Sequence, residues 1–204
     1  MSIVTLNDRA VRSVTAFGSL NTGSMVFIKK LTASSSATLS FVNGSSNVVF
    51  DSTYKEYLFT FKNIHAATDG QQFRFQTSTD GGSSYGVTLT STYFIAYNKE
   101  DGSETSLGYN TGGDKAQSTD FKVLGSGDSE NDSGISGILN IFNPADTTFV
   151  KQYISRCATY ANADYAVDTY KSGYFNTTSA LTAIQFTMST GNIDAGDICL
   201  YGIL

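Results

Sequence analysis

Proline occurs once in this sequence, histidine once and cysteine twice, and tryptophan not at all. A single proline excludes a Pro-rich linker protein, and with a hydrophobic fraction of 40% it excludes a disordered one. One histidine and two separated cysteines cannot assemble a zinc site of ordinary ligand count. Nor do two cysteines make a disulfide framework in a chain of 204 residues, which is long enough to bury a sizeable core unaided. Cys157 and Cys199 each fall in a β-like run and read as reduced, buried thiols. Charged residues are 15% of the chain, below the usual quarter or so, and the deficit is filled by Ser, Thr, Asn and Gly. The net charge is -5 and the pI about 4.7. Such a chain lacks the basic stripe that nucleic acid demands and has no attraction for an anionic membrane surface. No apolar run approaches transmembrane length. The opening "MSIVTLNDRAVRSVTAF" has no long apolar core behind a basic start, so we expect no signal peptide and folding in a cytoplasm.

What is present is β chemistry. Aromatics are 13%, as 12 Tyr and 14 Phe, and 19 Gly supply turns. In "YKEYLFTFKNI", Tyr57, Phe59 and Phe61 share one face and Leu58, Thr60 and Lys62 the other, a period of two. "FRFQTS" sets Phe73 and Phe75 against Arg74 and Gln76, and the two runs are expected to pair as a hairpin. Asn43-Gly44 marks a turn between "LSFV" and "VVF". "AIQFTM" places Ile184, Phe186 and Met188 together, and the final "DICLYGIL" reads as a strand held in a sheet. Residues 98–133 break this rhythm with long polar loops around a short "FKVL". The one helical candidate is "NADYAVDTY". About eight to ten such runs with turn signals between them predict an all-β fold: an antiparallel β-sandwich, jelly-roll-like, in a single domain with long polar loops. We expect residues 1–22 to be an N-terminal arm or edge strand and 23–204 the sandwich.

The search for catalytic chemistry returns little. His65, in "KNIHAATDG", has no nucleophile elbow beside it. The Gly-rich stretches match no phosphate loop and lead into no helix. In "GDSENDSG", Asp128, Glu130 and Asp132 alternate, and "NIDAGD" adds Asp194 and Asp197. Acidic loops can supply oxygens to calcium, but the EF-hand spacing is not met, and a solvated loop is the plain reading. No motif fixes a carboxylate pair for glycoside hydrolysis. We therefore expect no enzyme, no catalytic residue and no cofactor. The tyrosines carry more information. A Tyr ring offers an apolar face and a hydroxyl at low entropic cost. Tyr170, Tyr174 and Phe175 are candidate contacts for a protein or a sugar.

Three stretches together, "YLFTFKNIHAATDGQQFRFQTSTDGGSSY", "NIFNPADTTFVKQYISR" and "YFNTTSALTAIQFTMSTGNIDAGDICLYGIL", resemble small virion-associated proteins of tailed phages, notably those of marine bacteria and cyanobacteria. The resemblance runs from about Tyr54 onward and is specific for the β scaffold. It implies a jelly-roll-like fold and a place on the virion, as a head decoration or an appendage subunit. It supplies no catalytic residues. The expected role is thus a non-enzymatic virion structural protein, assembled in the host cytoplasm, whose partners are capsid or tail proteins and copies of itself. The alternative is a carbohydrate-binding module or receptor-binding fibre domain that takes a cell-surface glycan. In the N-terminal segment, Ile3, Val4, Leu6, Arg9, Val11 and Arg12 form a candidate docking arm, able to add a strand to a neighbour's edge. Its alternative is a first strand of its own sheet.

Overall fold

A computed structural model describes residues 24–161 and 164–204, and the candidate arm lies outside them. Thirteen strands and no helix make up the described residues. They are β1 (Met25–Thr32), β2 (Thr38–Val42), β3 (Glu56–Ala66), β4 (Gln71–Ser78), β5 (Leu89–Lys99), β6 (Thr105–Tyr109), β7 (Lys115–Ser118), β8 (Lys122–Gly127), β9 (Gly134–Phe142), β10 (Lys151–Ala161), β11 (Tyr165–Phe175), β12 (Ala183–Met188) and β13 (Ile193–Ile203). They form two antiparallel sheets. The large one runs β1-β13-β3-β9-β10-β11-β5-β6, with β7 also on β5; the small one runs β2-β12-β4-β8. The expected β-sandwich is the fold.

Alternation builds the core. Tyr57, Phe59 and Phe61 of β3 point inward at 2% exposure or less, as do Phe73 and Phe75 of β4 and Ile184, Phe186 and Met188 of β12. Phe186 sits at the centre, with the rings of Phe41, Phe59, Phe61, Phe73 and Phe75 all within 6.4 Å. Edge-to-face and offset pairs of this kind add about 0.5–1.5 kcal/mol each beyond area burial. The C-terminal run is the strand expected, and β13 lies between β1 and β3. Both cysteines are free and buried.

Four expectations are corrected. β3 and β4 do not form a hairpin. β3 pairs with β13 and β9, and β4 with β12 and β8, so the chain crosses from one sheet to the other between them. Two runs of equal apolar phase fit facing sheets as well as neighbouring strands, because both bury one face. "VVF" is not a strand either. The turn at Gly44 closes back on itself, and Val48 and Phe50 plug the core from a loop, the Phe50 N–H donating to Asn43 Oδ1 at 2.9 Å. Of the helical candidate, the stretch from Tyr165 to Tyr170 belongs to strand β11, which pairs along its whole length with β10 and β5, and Asn162 and Ala163 lie outside the described residues. Last, the polar loops of 98–133 contain β6, β7 and β8. Few apolar residues are needed there, because β6 is exposed throughout.

Candidate functional site

Residues opposite one another in register share a face of the sheet. Across the large sheet one such row reads Ile138, Arg156, Tyr170, Phe94 and Tyr109, on β9, β10, β11, β5 and β6 in turn. All project from the outer face, because their neighbours along each strand (Leu139, Cys157, Tyr93) are buried on the inner one. Nine large apolar side chains are exposed among the described residues. Seven of them lie on this outer face: Met25, Phe27, Phe94, Leu107, Tyr109, Ile138 and Ile154; the other two are Phe149 and Leu204. Monomeric proteins seldom gather apolar surface in this way without a partner for it.

The centre of the row is rigid. The Phe94 and Tyr170 rings stack with centroids 5.0 Å apart and planes 7° from parallel. On the other side of Tyr170 the Arg156 guanidinium lies 4.8 Å from the ring centroid. Asp168 holds that guanidinium through two bonds, from Nε to Oδ1 at 3.1 Å and from Nη2 to Oδ2 at 2.6 Å. The pairing holds the Asp168 carboxyl below the usual range and the Arg156 pKa above its own.

Of the sequence candidates, Tyr170 is therefore on the exposed face, but both faces of its ring are covered. Tyr174 lies on the same outer face, four residues along β11, and its hydroxyl accepts from Gln117 Nε2 at 3.2 Å. Phe175 is corrected: it is wholly buried, 5.3 Å from Tyr153 and 6.2 Å from Phe75 by ring centroids. Strand period explains it, since Tyr174 and Phe175 are adjacent and must point to opposite faces.

The acidic loop is only partly as expected. Asp128 and Glu130 meet Asp69, their oxygens within 4.8 Å of one another, while Asp132 lines a separate polar hollow with His65 and Asp194. Asp69 was hidden in sequence by its distance from the loop. Both aspartates are engaged by loop donors: Asp128 Oδ1 accepts from the Gly70 N–H at 2.6 Å, and Asp69 Oδ1 from the Ser129 N–H at 3.0 Å and its hydroxyl. Those bonds keep the Asp69 carboxyl below its ordinary range. They tie two loops together, which accounts for the cluster. His65 Nε2 donates to the Glu130 carbonyl at 2.7 Å, and its Nδ1 stands 3.9 Å from Asp194.

Sequence reasoning missed a buried cationic site. Lys171 and Lys122 are both within 3% exposure, and both ammoniums lie over the Tyr93 ring, at 4.1 and 5.3 Å from its centroid. Lys171 Nζ donates to Leu124 O at 2.7 Å, and Lys122 Nζ to Gly113 O. Burial pushes the Lys171 pKa down to about 7 and that of Lys122 to about 8. The only signal in sequence is Lys171 in an alternating run, at an inward position.

No protein-family model matches the chain, and neither a curated protein nor a solved structure matches it.

Proposed function

We propose that this chain is a non-enzymatic structural subunit of a bacteriophage virion, a capsid decoration or an appendage component, that works by protein-protein contact. The observation that carries the contact role is the gathering of seven exposed large apolar side chains on one sheet face. The resemblance of the three quoted stretches supplies the virion context. The strand order supports the finer reading of the fold as a jelly roll. The chain alternates between β1-β13-β3-β9 and β2-β12-β4-β8 at each step except between β4 and β8, the order of two interlocked Greek keys. In that reading β5–β7 and β10–β11 are insertions that widen one sheet.

The carbohydrate-binding alternative is weaker. Sugar stacking needs a free aromatic face, and Tyr170 has Phe94 on one side and Arg156 on the other. Tyr174 alone is left of the three aromatic candidates.

Immunogold electron microscopy on virions of the phage that encodes the chain tests the proposal. Gold over the head means a decoration protein, and gold on the tail or fibres an appendage. Particles without gold, from a lysate in which the chain is detected, refute the virion role.

A further inference from the structure

A sheet edge presents a row of unpaired N–H and C=O groups, and proteins blunt such edges with charge, proline, bulges or cover. β1 carries Lys29 and Lys30 and a register shift between Phe27 and Lys29. β2 is flanked by the turn that folds back on it, where the Ser45 N–H donates to Val42 O at 3.0 Å. β8 has a register shift against β4. Among the described residues, β6 has none of these. Its sequence, TSLGY, holds no charge and no proline, its pairing to β5 is regular, and all five residues are exposed, Leu107 at 74%.

The ladder to β5 fixes which groups are open. The Lys99 N–H donates to Glu104 O at 2.9 Å and the Asn110 N–H to Tyr93 O at 2.8 Å. Antiparallel pairs alternate between bonded and non-bonded, so the even residues of β6 turn their backbone groups to β5. Thr105, Leu107 and Tyr109 turn theirs to the open edge. Their side chains all lie on the outer, apolar face.

We propose that two copies of this chain pair edge to edge through β6, antiparallel, about a two-fold axis at Leu107. Such an interface is self-complementary, as a two-fold axis requires. Leu107 meets the partner's Leu107, and Thr105 meets the partner's Tyr109 on each side of the axis. These are three bonded pairs with two hydrogen bonds in each, using every open group of the strand. No like charges meet at the junction. The large sheet then runs unbroken through both subunits, with their apolar outer faces on the same side and the two rows that end at Tyr109 offset by four residues. The pairing does not rest on the virion reading and stands or falls separately from it.

The test uses the full chain. Light scattering behind size exclusion is expected to give twice 21.8 kDa. Leu107→Pro removes an N–H that points outward and leaves the β5 ladder intact, so the mass is expected to halve with the circular dichroism unchanged. Leu107→Lys, which sets two ammoniums against each other, is expected to do the same. Register is read by cross-linking. Bonded partners have Cα atoms about 5.5 Å apart, inside the disulfide range of about 4.4–6.8 Å. Leu107→Cys is expected to give an oxidised dimer, and the native thiols do not interfere because both are buried. Thr105→Cys is expected to give none, because its counterpart lies four residues along, roughly 14 Å away. A wild-type monomer at every concentration overturns the proposal. So does a dimer that both Leu107 variants leave whole, or one in which Thr105→Cys cross-links as well as Leu107→Cys.

Discussion

Lys171→Met removes a charge buried at 3% exposure and keeps most of the side-chain volume. The ammonium donates to Leu124 O, but that carbonyl also accepts from Thr169 Oγ1 at 3.1 Å, so it does not become an orphan. In the unfolded chain the lysine holds its proton up to about 10.5, and in the folded protein only to about 7. Between those values the unfolded state binds more protons, so stability rises with pH. Below 7 both states are charged and the whole burial cost is present. At about 1.4 kcal/mol per pKa unit the fall corresponds to roughly 5 kcal/mol, as an upper bound. Replacing buried charge by apolar volume typically gains about 1–4 kcal/mol, and that is the gain expected at pH 6. Between pH 6 and 9 the wild type should recover roughly 2–3 kcal/mol that the variant does not, which leaves the variant's curve flatter. Urea melts of both proteins at pH 6 and 9 measure this; titrations remote from Lys171 cancel in the difference, whereas those of Lys122 and Cys157, which feel its charge, do not. A variant less stable than wild type at pH 6, with the same rise to pH 9, would refute the reasoning.

The other predictions concern packing. In Gly137→Ala, a Cβ would lie 2.4 Å from Arg156 O and 2.7 Å from the Cα of Cys157, so β9 cannot keep its place against β10. We expect a loss of about 3 kcal/mol or more, the larger end of overpacking costs, read as a lowered Tm. Deleting the last five residues, Leu200 to Leu204, removes four of the seven β13 residues that join β1 to β3. That chain is expected not to fold, and a melting curve equal to wild type would contradict the central place assigned to β13.

Strands with an alternating apolar face were legible because burial on one side writes period two into the sequence. Tyr57, Phe59, Phe61, Ile184, Phe186 and Met188 all point where their spacing says. The pairing of strands was not legible. Phe59 and Phe73 belong to facing sheets, and nothing local separates that from a hairpin, because both arrangements bury the same faces. β6 escaped notice because it buries nothing, and the pattern that reveals strands is a pattern of burial. Of the site, Tyr170 was visible as an exposed aromatic, but Arg156 and Phe94 join it only through register, at sequence separations that no local motif spans. The same holds for Asp69 beside Asp128.

The buried lysines follow from the same asymmetry. The small sheet has four strands and reaches the large one as far as β10 and β11 through β8. Beyond that, the inner face of β5, β10 and β11 is covered by the chain from Gly113 to Leu124, where only the short β7 and the start of β8 have ladder partners and the pairing of β8 breaks at Leu124. A covering segment whose ladder is interrupted leaves backbone carbonyls to be satisfied. Gly113 O is met by Lys122, Leu124 O by Lys171 and Thr169, and the Lys115 N–H by Ser91 Oγ. Polar residues on the inner face at Ser91, Thr169 and Lys171 are thus the counterpart of a lid with an interrupted ladder, just as the apolar residues of β3 and β12 are the counterpart of a facing sheet. The cost is two desolvated ammoniums, which the Tyr93 ring offsets in part. Widening one sheet without the other therefore had two consequences. It created an inner face that needs polar partners from its own chain, and an outer face whose apolar row is left for another.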